Sequence, residues 1–321
     1  MNFKRAVLLA ITFFILIILY YFVETPSGKK GKEEPRAFIP GFDSKRAALI
    51  RLKQAGKGPL TLIRQGGGWQ VQSGEKIFAA EPAPVNKMLD TVAGLKAATV
   101  ASRNSEKFDA FEVTGDKGTE VKIDDADSNV LAHFIVGKNG PDIFSTYVRN
   151  QGADRVILTN GILKNVFEKD LSDWRDKTVF KLNKQDITGY LIEGDMTLQM
   201  QKDDSQNWAV QEPGQFLADK KAAEETVAKF ASLKAAGFED NATKCSLDRP
   251  SRTITASLKS GDAAVLLVGK EKNAFQHFVQ VSGKDTIFVL EDYLLESLSP
   301  TPDKLKGGQK EDTKQPETAA E

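Results

Sequence analysis

The sequence predicts an α+β fold: an N-terminal transmembrane helix followed by two tandem duplicated modules, each a mostly antiparallel sheet with one long and one short helix. Three observations predict it. An uncharged apolar run opens the chain, a set of landmarks recurs in the same order in its two halves, and each half alternates with period two around a single longer stretch of period 3.6.

The opening run is Ala6 to Val23, AVLLAITFFILIILYYFV, whose only strongly polar member is Thr12. As a helix its 18 residues would rise roughly 27 Å, close to a hydrocarbon core of about 30 Å. Tyr20 and Tyr21 stand where an interfacial aromatic belt belongs, and Lys4 with Arg5 flanks the other end. The expected organisation is a basic tail over 1–5 and a membrane span over 6–23. A cleaved signal peptide is the competing reading, but the run exceeds the usual apolar region and YYFVETPSGKKG lacks a small-x-small cleavage site. Lys29, Lys30, Lys32 and Arg36 follow the span, so simple charge counting points the other way. Long domains nevertheless translocate largely regardless of charge, which places the body outside the cytoplasm. Residues 24–40 read as a flexible stalk, and residues 300–321, rich in Lys, Glu, Gln, Gly and Pro, as a disordered tail.

The body carries an echo. VAGLKAATV at 92–100 is answered by FASLKAAGF at 230–238. Other landmarks keep the order: Trp69 pairs with Trp208, Leu95 with Leu233, Gly137 with Gly269, Val156 with Ile287 and Leu163 with Leu294. Two modules are therefore expected, over 41–175 and 176–299.

Each module reads alike. LTLIR, QGGG and WQVQ form one hairpin, and MTLQM, QKDDSQN and WAVQ the other. A helix follows, with the stripe Val85, Met88, Leu89, Val92, Leu95 behind Pro82 and Pro84 in the first module. In the second, Val227, Phe230 and Leu233 form the stripe behind Asp219 as N-cap. Strands TEVKI, AHFIVG, IFSTYV and DRVIL come next, matched by TITASL, AVLLVG, HFVQV and TIFVL. Short helices in GILKNVFEKDL and DYLLESL close the modules.

Composition excludes several classes of function. Lys plus Arg equals Asp plus Glu at 44 each, without the basic excess that phosphate backbones need, so nucleic acid is not an expected partner. One cysteine, Cys245, cannot close an intramolecular disulfide. His133 and His277 lie in apolar strands with no second ligand at zinc spacing, and Cys245 with His277 lacks a local nucleophile signature. Asp124, Asp125, Asp127 and Asn129 imitate a calcium loop, but Val130 and Val136 occupy its Gly and Glu positions. Gly66, Gly67 and Gly68 lack the Lys of a phosphate loop. No catalytic residue, metal site or cofactor is expected. The joint, LSDWRDKTVFKLNKQD, offers Trp174, Arg175 and Asp176 as interdomain or partner contacts, and these three have no evident match after the second copy. Arg175 is read either as an anion clamp or as a tie between modules.

Several phrases resemble one bacterial family, the domain of unknown function 4340. They are the Trp-led WQV and WAV, LKAA, WRDK, and CSLDRPSRTITASL leading into VLLVGK. The last resembles the family's Gly-Leu-Asp-x-Pro pattern, with Ser246 in the place of Gly and Leu247, Asp248 and Pro250 matching. The first copy, FDAFEVTGDKGTEVKI, lacks that core. The resemblance implies a single-pass protein of the bacterial inner membrane with a periplasmic body, associated with ABC transporters of the gliding-motility type, and it carries no catalytic residues. Two functions are therefore expected as alternatives: a non-enzymatic accessory or scaffolding protein of an ABC-type membrane complex, or a periplasmic module binding an envelope polymer or small solute. A Cys245-dependent enzyme is a third class.

Overall fold

The computed structural model of the chain describes residues 36–307. The expected tail 1–5, span 6–23, most of the stalk, and the residues after Gly307 lie outside the described residues.

The first sheet contains β1 (Arg36–Ala37), β2 (Ala47–Lys53), β3 (Leu60–Gln65), β4 (Gly68–Ser73), β5 (Lys76–Ala79), β6 (Lys96–Ser102), β7 (Thr119–Asp125), β8 (Val130–Asn139), β9 (Ser145–Asn150) and β10 (Val156–Asn160). Their order is β1-β6-β10-β9-β8-β7-β2-β3-β4-β5. The second sheet contains β11 (Ile187–Gly194), β12 (Leu198–Lys202), β13 (Trp208–Glu212), β14 (Phe216–Leu217), β15 (Gly237–Glu239), β16 (Arg252–Leu258), β17 (Ala263–Asn273), β18 (Gln276–Val281) and β19 (Ile287–Glu291). Read from its β15 end, its order is β15-β19-β18-β17-β16-β11-β12-β13-β14, which repeats the first sheet from β6 onward, strand for strand.

Six α-helices occur among the described residues: α1 (Pro82–Gly94), α2 (Lys164–Phe167), α3 (Leu171–Trp174), α4 (Lys220–Ala231), α5 (Asp292–Leu298) and α6 (Pro302–Leu305). Only α1 and α4 exceed seven residues. Among the described residues no helix is long and apolar enough to cross a membrane. The expected α+β class is thus corrected to a mostly antiparallel, two-sheet architecture, while the transmembrane helix expected over 6–23 lies outside the described residues. The physical reason is that several strands carry no clean alternation. Central strands β2 and β11 place apolar residues side by side, β6 is a small-residue strand exposed along most of its length, and β14 and β15 are two and three residues long.

The helical stripes fold as their spacing dictates. Val85, Met88, Leu89 and Val92 of α1 are buried, with Leu95 just beyond. In the second copy Val227 and Phe230 of α4 share one core with Tyr190, Met200, Val210 and Leu290 of the sheet. The Asp219 side chain accepts from the Ala222 amide at 2.8 Å and caps α4.

The echoed phrase marks the corner from the helix to the next strand, β6 in one copy and β15 in the other. Leu95 and Leu233 are both buried there. The Leu95 carbonyl accepts the Phe38 amide at 2.8 Å, and the Leu233 carbonyl accepts the Val179 amide at 2.9 Å. The Lys-Ala that follows pairs with the incoming chain: Ala37 opposite Lys96 in one copy, Thr178 opposite Lys234 in the other. Each copy therefore begins with a strap laid on its own LKAA. This moves residues 36–40 out of the stalk, since β1 is paired and Phe38 is buried.

By compactness the chain divides into two units. One comprises residues up to Ala47 with Gln54–Gly56 and Leu89–Phe167; the other comprises Ala48–Lys53, Lys57–Met88 and the chain from Glu168. The hairpin strands β3, β4 and β5 of the first sheet thus group with the second unit, whereas the sequence reading put the boundary at 175/176.

Candidate functional site

The residues 174–176 sit within the second unit, against the end of β5. The Glu81 amide donates to the Trp174 carbonyl and the Asp176 amide to the Ala79 carbonyl, both at 2.8 Å, with Ala80 bridged to Arg175. Trp174 is wholly buried, and its indole Nε1 has no hydrogen-bond partner among the described residues. Asp176 turns back on its own chain, accepting the Thr178 amide at 2.9 Å.

Arg175 is 6% exposed. Its guanidinium lies 3.9 Å from the Phe78 ring centroid and 3.6 Å from that of Phe238. Its Nη1 donates to Asp240 Oδ1 at 3.3 Å. Burial pulls the guanidinium below its ordinary pKa, and the Asp240 carboxylate pulls it back up. With two rings and a carboxylate against its guanidinium, Arg175 binds three protein groups together. Beside it Lys234 Nζ reaches Glu81 Oε1 at 2.9 Å, a hydrogen bond that raises the lysine's pKa.

The absence of a counterpart after the second copy is corrected by the geometry. The Asp219 amide donates to the Leu305 carbonyl at 2.6 Å, as Glu81 does to Trp174. Leu305 is buried in the place of Trp174, and Lys306 Nζ stands 5.4 Å from the Phe216 ring as Arg175 stands over Phe78. PDKLK therefore answers LSDWR, and residues 300–307 belong to the second copy instead of the disordered tail. The signal was the spacing: 131 residues separate Trp174 from Leu305, as they separate Val156 from Ile287. The substitution of Leu for Trp and Lys for Arg concealed it.

The repeat landmarks occupy matching positions. The Trp69 carbonyl accepts the Ala80 amide and the Trp208 carbonyl the Ala218 amide, both at 2.8 Å. Gly137 in β8 and Gly269 in β17 each let a connecting turn approach: a Cβ would strike the Phe111 carbonyl in one copy and the Cys245 carbonyl in the other. The next residues, Glu112 and Ser246, share left-handed backbone at φ 57° and 52°.

The other candidate groups are held in separate places. Cys245 is buried in a small cluster with Phe278, and burial raises its thiol pKa. Phe278 and His277 are adjacent in β18 and so point to opposite faces of the sheet, which keeps the thiol and the imidazole apart. His277 Nδ1 instead lies 2.6 Å from Asp292 Oδ1, and His133 Nε2 lies 2.7 Å from Glu120 Oε1. Asp125 Oδ1 accepts the Asp127 and Asn129 amides as a turn, and Asp125 Oδ2 receives Arg46 at 2.6 Å. Among the described residues no group of three His, Cys, Asp or Glu side chains is placed to hold a metal. Gly66 and Gly67 form the β3–β4 turn at positive φ.

These features define a tandem-duplicated antiparallel sheet protein. The model of the family Domain of unknown function (DUF4340) matches it twice, over residues 69–250 and 208–307, the matches beginning at Trp69 and at Trp208. The chain belongs to this family. No curated protein matches it.

Proposed function

We propose that the protein is a non-enzymatic accessory or scaffolding component of an ABC-transporter-type complex in the bacterial envelope, with its body outside the cytoplasm. The observation that carries this reading is the duplication itself: two extended sheets of one strand order, whose charged side chains of interest are engaged by partners of their own chain. Arg175 is held by Phe78, Phe238 and Asp240. Arg252 is held by Asp195 at 2.7 Å through two nitrogens. The apolar run over 6–23 and the family's association with such transporters, implied by the resemblance, support the location and the partner. Affinity purification of the full chain from detergent extracts tests the reading. Co-purification of a transporter subunit is expected; recovery with no membrane-protein partner contradicts it. Cleavage of the C-terminal tail by protease in intact spheroplasts is the matching expectation for location.

A ligand-binding role has one specific feature in its favour. A groove of about 340 Å³ in the second copy is lined by Lys184, Lys202, Lys220, Ser205 and Asn207 with one carboxylate, Glu224, a set whose three lysines favour an anionic, hydroxylated solute. Saturable thermal stabilisation by an anionic polysaccharide would favour this role over scaffolding.

A further inference from the structure

Both copies expose an aromatic side chain at the same point of the fold. In the first copy the β8–β9 connection ends in Asp142-Ile143-Phe144, and in the second Asn273, the last residue of β17, is followed by the connection Ala274-Phe275. Phe144 is 68% exposed and Phe275 73%. Their backbones are held in the same way. The Phe144 amide donates to Asp142 Oδ1 at 3.1 Å and the Phe275 amide to Asn273 Oδ1 at 2.9 Å. The Phe144 carbonyl accepts the Gly161 amide at 2.6 Å, and the Phe275 carbonyl accepts the Asp292 amide at 2.9 Å. The residue after each of those donors, Ile162 and Tyr293, is again an exposed large apolar side chain.

An exposed phenylalanine has no folding reason to persist at matching sites in two copies that have diverged elsewhere, even from Trp to Leu in the core. A side chain presented on a backbone hydrogen-bonded from both sides suits recognition, because little conformational freedom is left to lose on binding. We propose that Phe144 with Ile162, and Phe275 with Tyr293, are two versions of one docking knob, each seated in an apolar pocket on a partner protein. This names the contact surface of the scaffolding role above and rests on that reading. The surroundings select a protein over a lipid surface. Asp142 and Lys164 stand near the first knob in sequence, and Glu271, Lys272, Asp292 and Glu296 near the second. Entry into a bilayer would strip water from these carboxylates, whereas a protein interface surrounds an apolar anchor with a polar rim of mixed charge.

The test places the photocrosslinker p-benzoyl-phenylalanine at 144 or 275 of the full chain in cells, with 217 as an exposed apolar control. The protein recovered is then purified and titrated with the unmodified chain and with Phe144→Ala, Phe275→Ala and Leu217→Ala. The expected result is one protein crosslinked from 144 and 275 but not from 217, with affinity about tenfold weaker for each Phe variant and unchanged for Leu217→Ala. Crosslinks to lipid alone, to a second copy alone, from 217 equally, or none at all overturn the proposal, as does affinity indifferent to both Phe variants. Should the recovered protein not be a transporter subunit, the ABC assignment fails while the knobs stand. Should a transporter subunit co-purify with no crosslink from either knob, the knobs fail while the assignment stands.

Discussion

Ser246 shows how a single backbone angle explains a residue pattern. The Gly-Leu-Asp-x-Pro pattern that this stretch resembles has glycine where the chain has Ser246, and the position is left-handed at φ 52°. A side chain there is strained by about 1 kcal/mol, which glycine would relieve at some cost in chain entropy. Ser246→Gly should therefore raise stability by roughly 0.5 kcal/mol, and Glu112→Gly at φ 57° should do the same in the first copy. Thermal denaturation of the two variants checks this. Gly137 and Gly269 predict the opposite. Alanine at either would meet a backbone carbonyl that has no room to retreat, so each variant should lose about 2 kcal/mol or more. Arg175 makes a third case at this scale. Lysine has no planar head group to set against the two rings, so Arg175→Lys should cost about 1 kcal/mol and Arg175→Ala about 2. If Arg175→Ala proved as stable as the parent in urea titrations, the tie between residues 78, 238 and 240 would be of no consequence.

At the scale of elements, the LKAA corner determines how each copy closes. Its leucine fills the core while its carbonyl receives the strap, so Leu233→Ala should cost about 2–5 kcal/mol. Exchange of the Val179 amide should accelerate with it, which hydrogen-exchange measurements would show. Acid stability belongs here too, because Arg252 joins the start of β16 to Asp195 beyond the end of β11. The hydrogen bond from Arg252 holds the Asp195 carboxyl below its ordinary pKa. The stability from this pair is therefore complete above the unfolded value of about 4 and is lost as pH falls through the lower folded value. Asp195→Asn should flatten that part of the acid limb. The elements also show what the sequence could reveal. The hairpins around Trp69 and Trp208, both helical stripes and the eight later strands were legible, because each is an alternating or continuous apolar segment bounded by turn residues, or repeats at three and four residues. Strands β2 and β11, central in their sheets, were not, since Leu49 and Leu191 on their less buried faces interrupt the alternation on which such a reading depends.

The duplication governs the whole molecule. It was visible from a few landmarks because Trp, Leu and Gly at those positions answer to backbone geometry that both copies must keep. What it concealed were the parts where different side chains serve one place. Leu305 and Lys306 stand for Trp174 and Arg175, and Phe275 with Tyr293 stands for Phe144 with Ile162. The candidate contact residues at the joint were chosen from the sequence as one stretch, but the engagement of Arg175 by Phe78, Phe238 and Asp240 required the fold. The most direct test is an experimental structure of residues 36–307, with the first copy superposed on the second. The expected result is that all nine strands pair in the same order, with Leu305 falling on Trp174 and Phe275 on Phe144. A different strand order in either sheet, or those pairs displaced by a register step, would contradict the account.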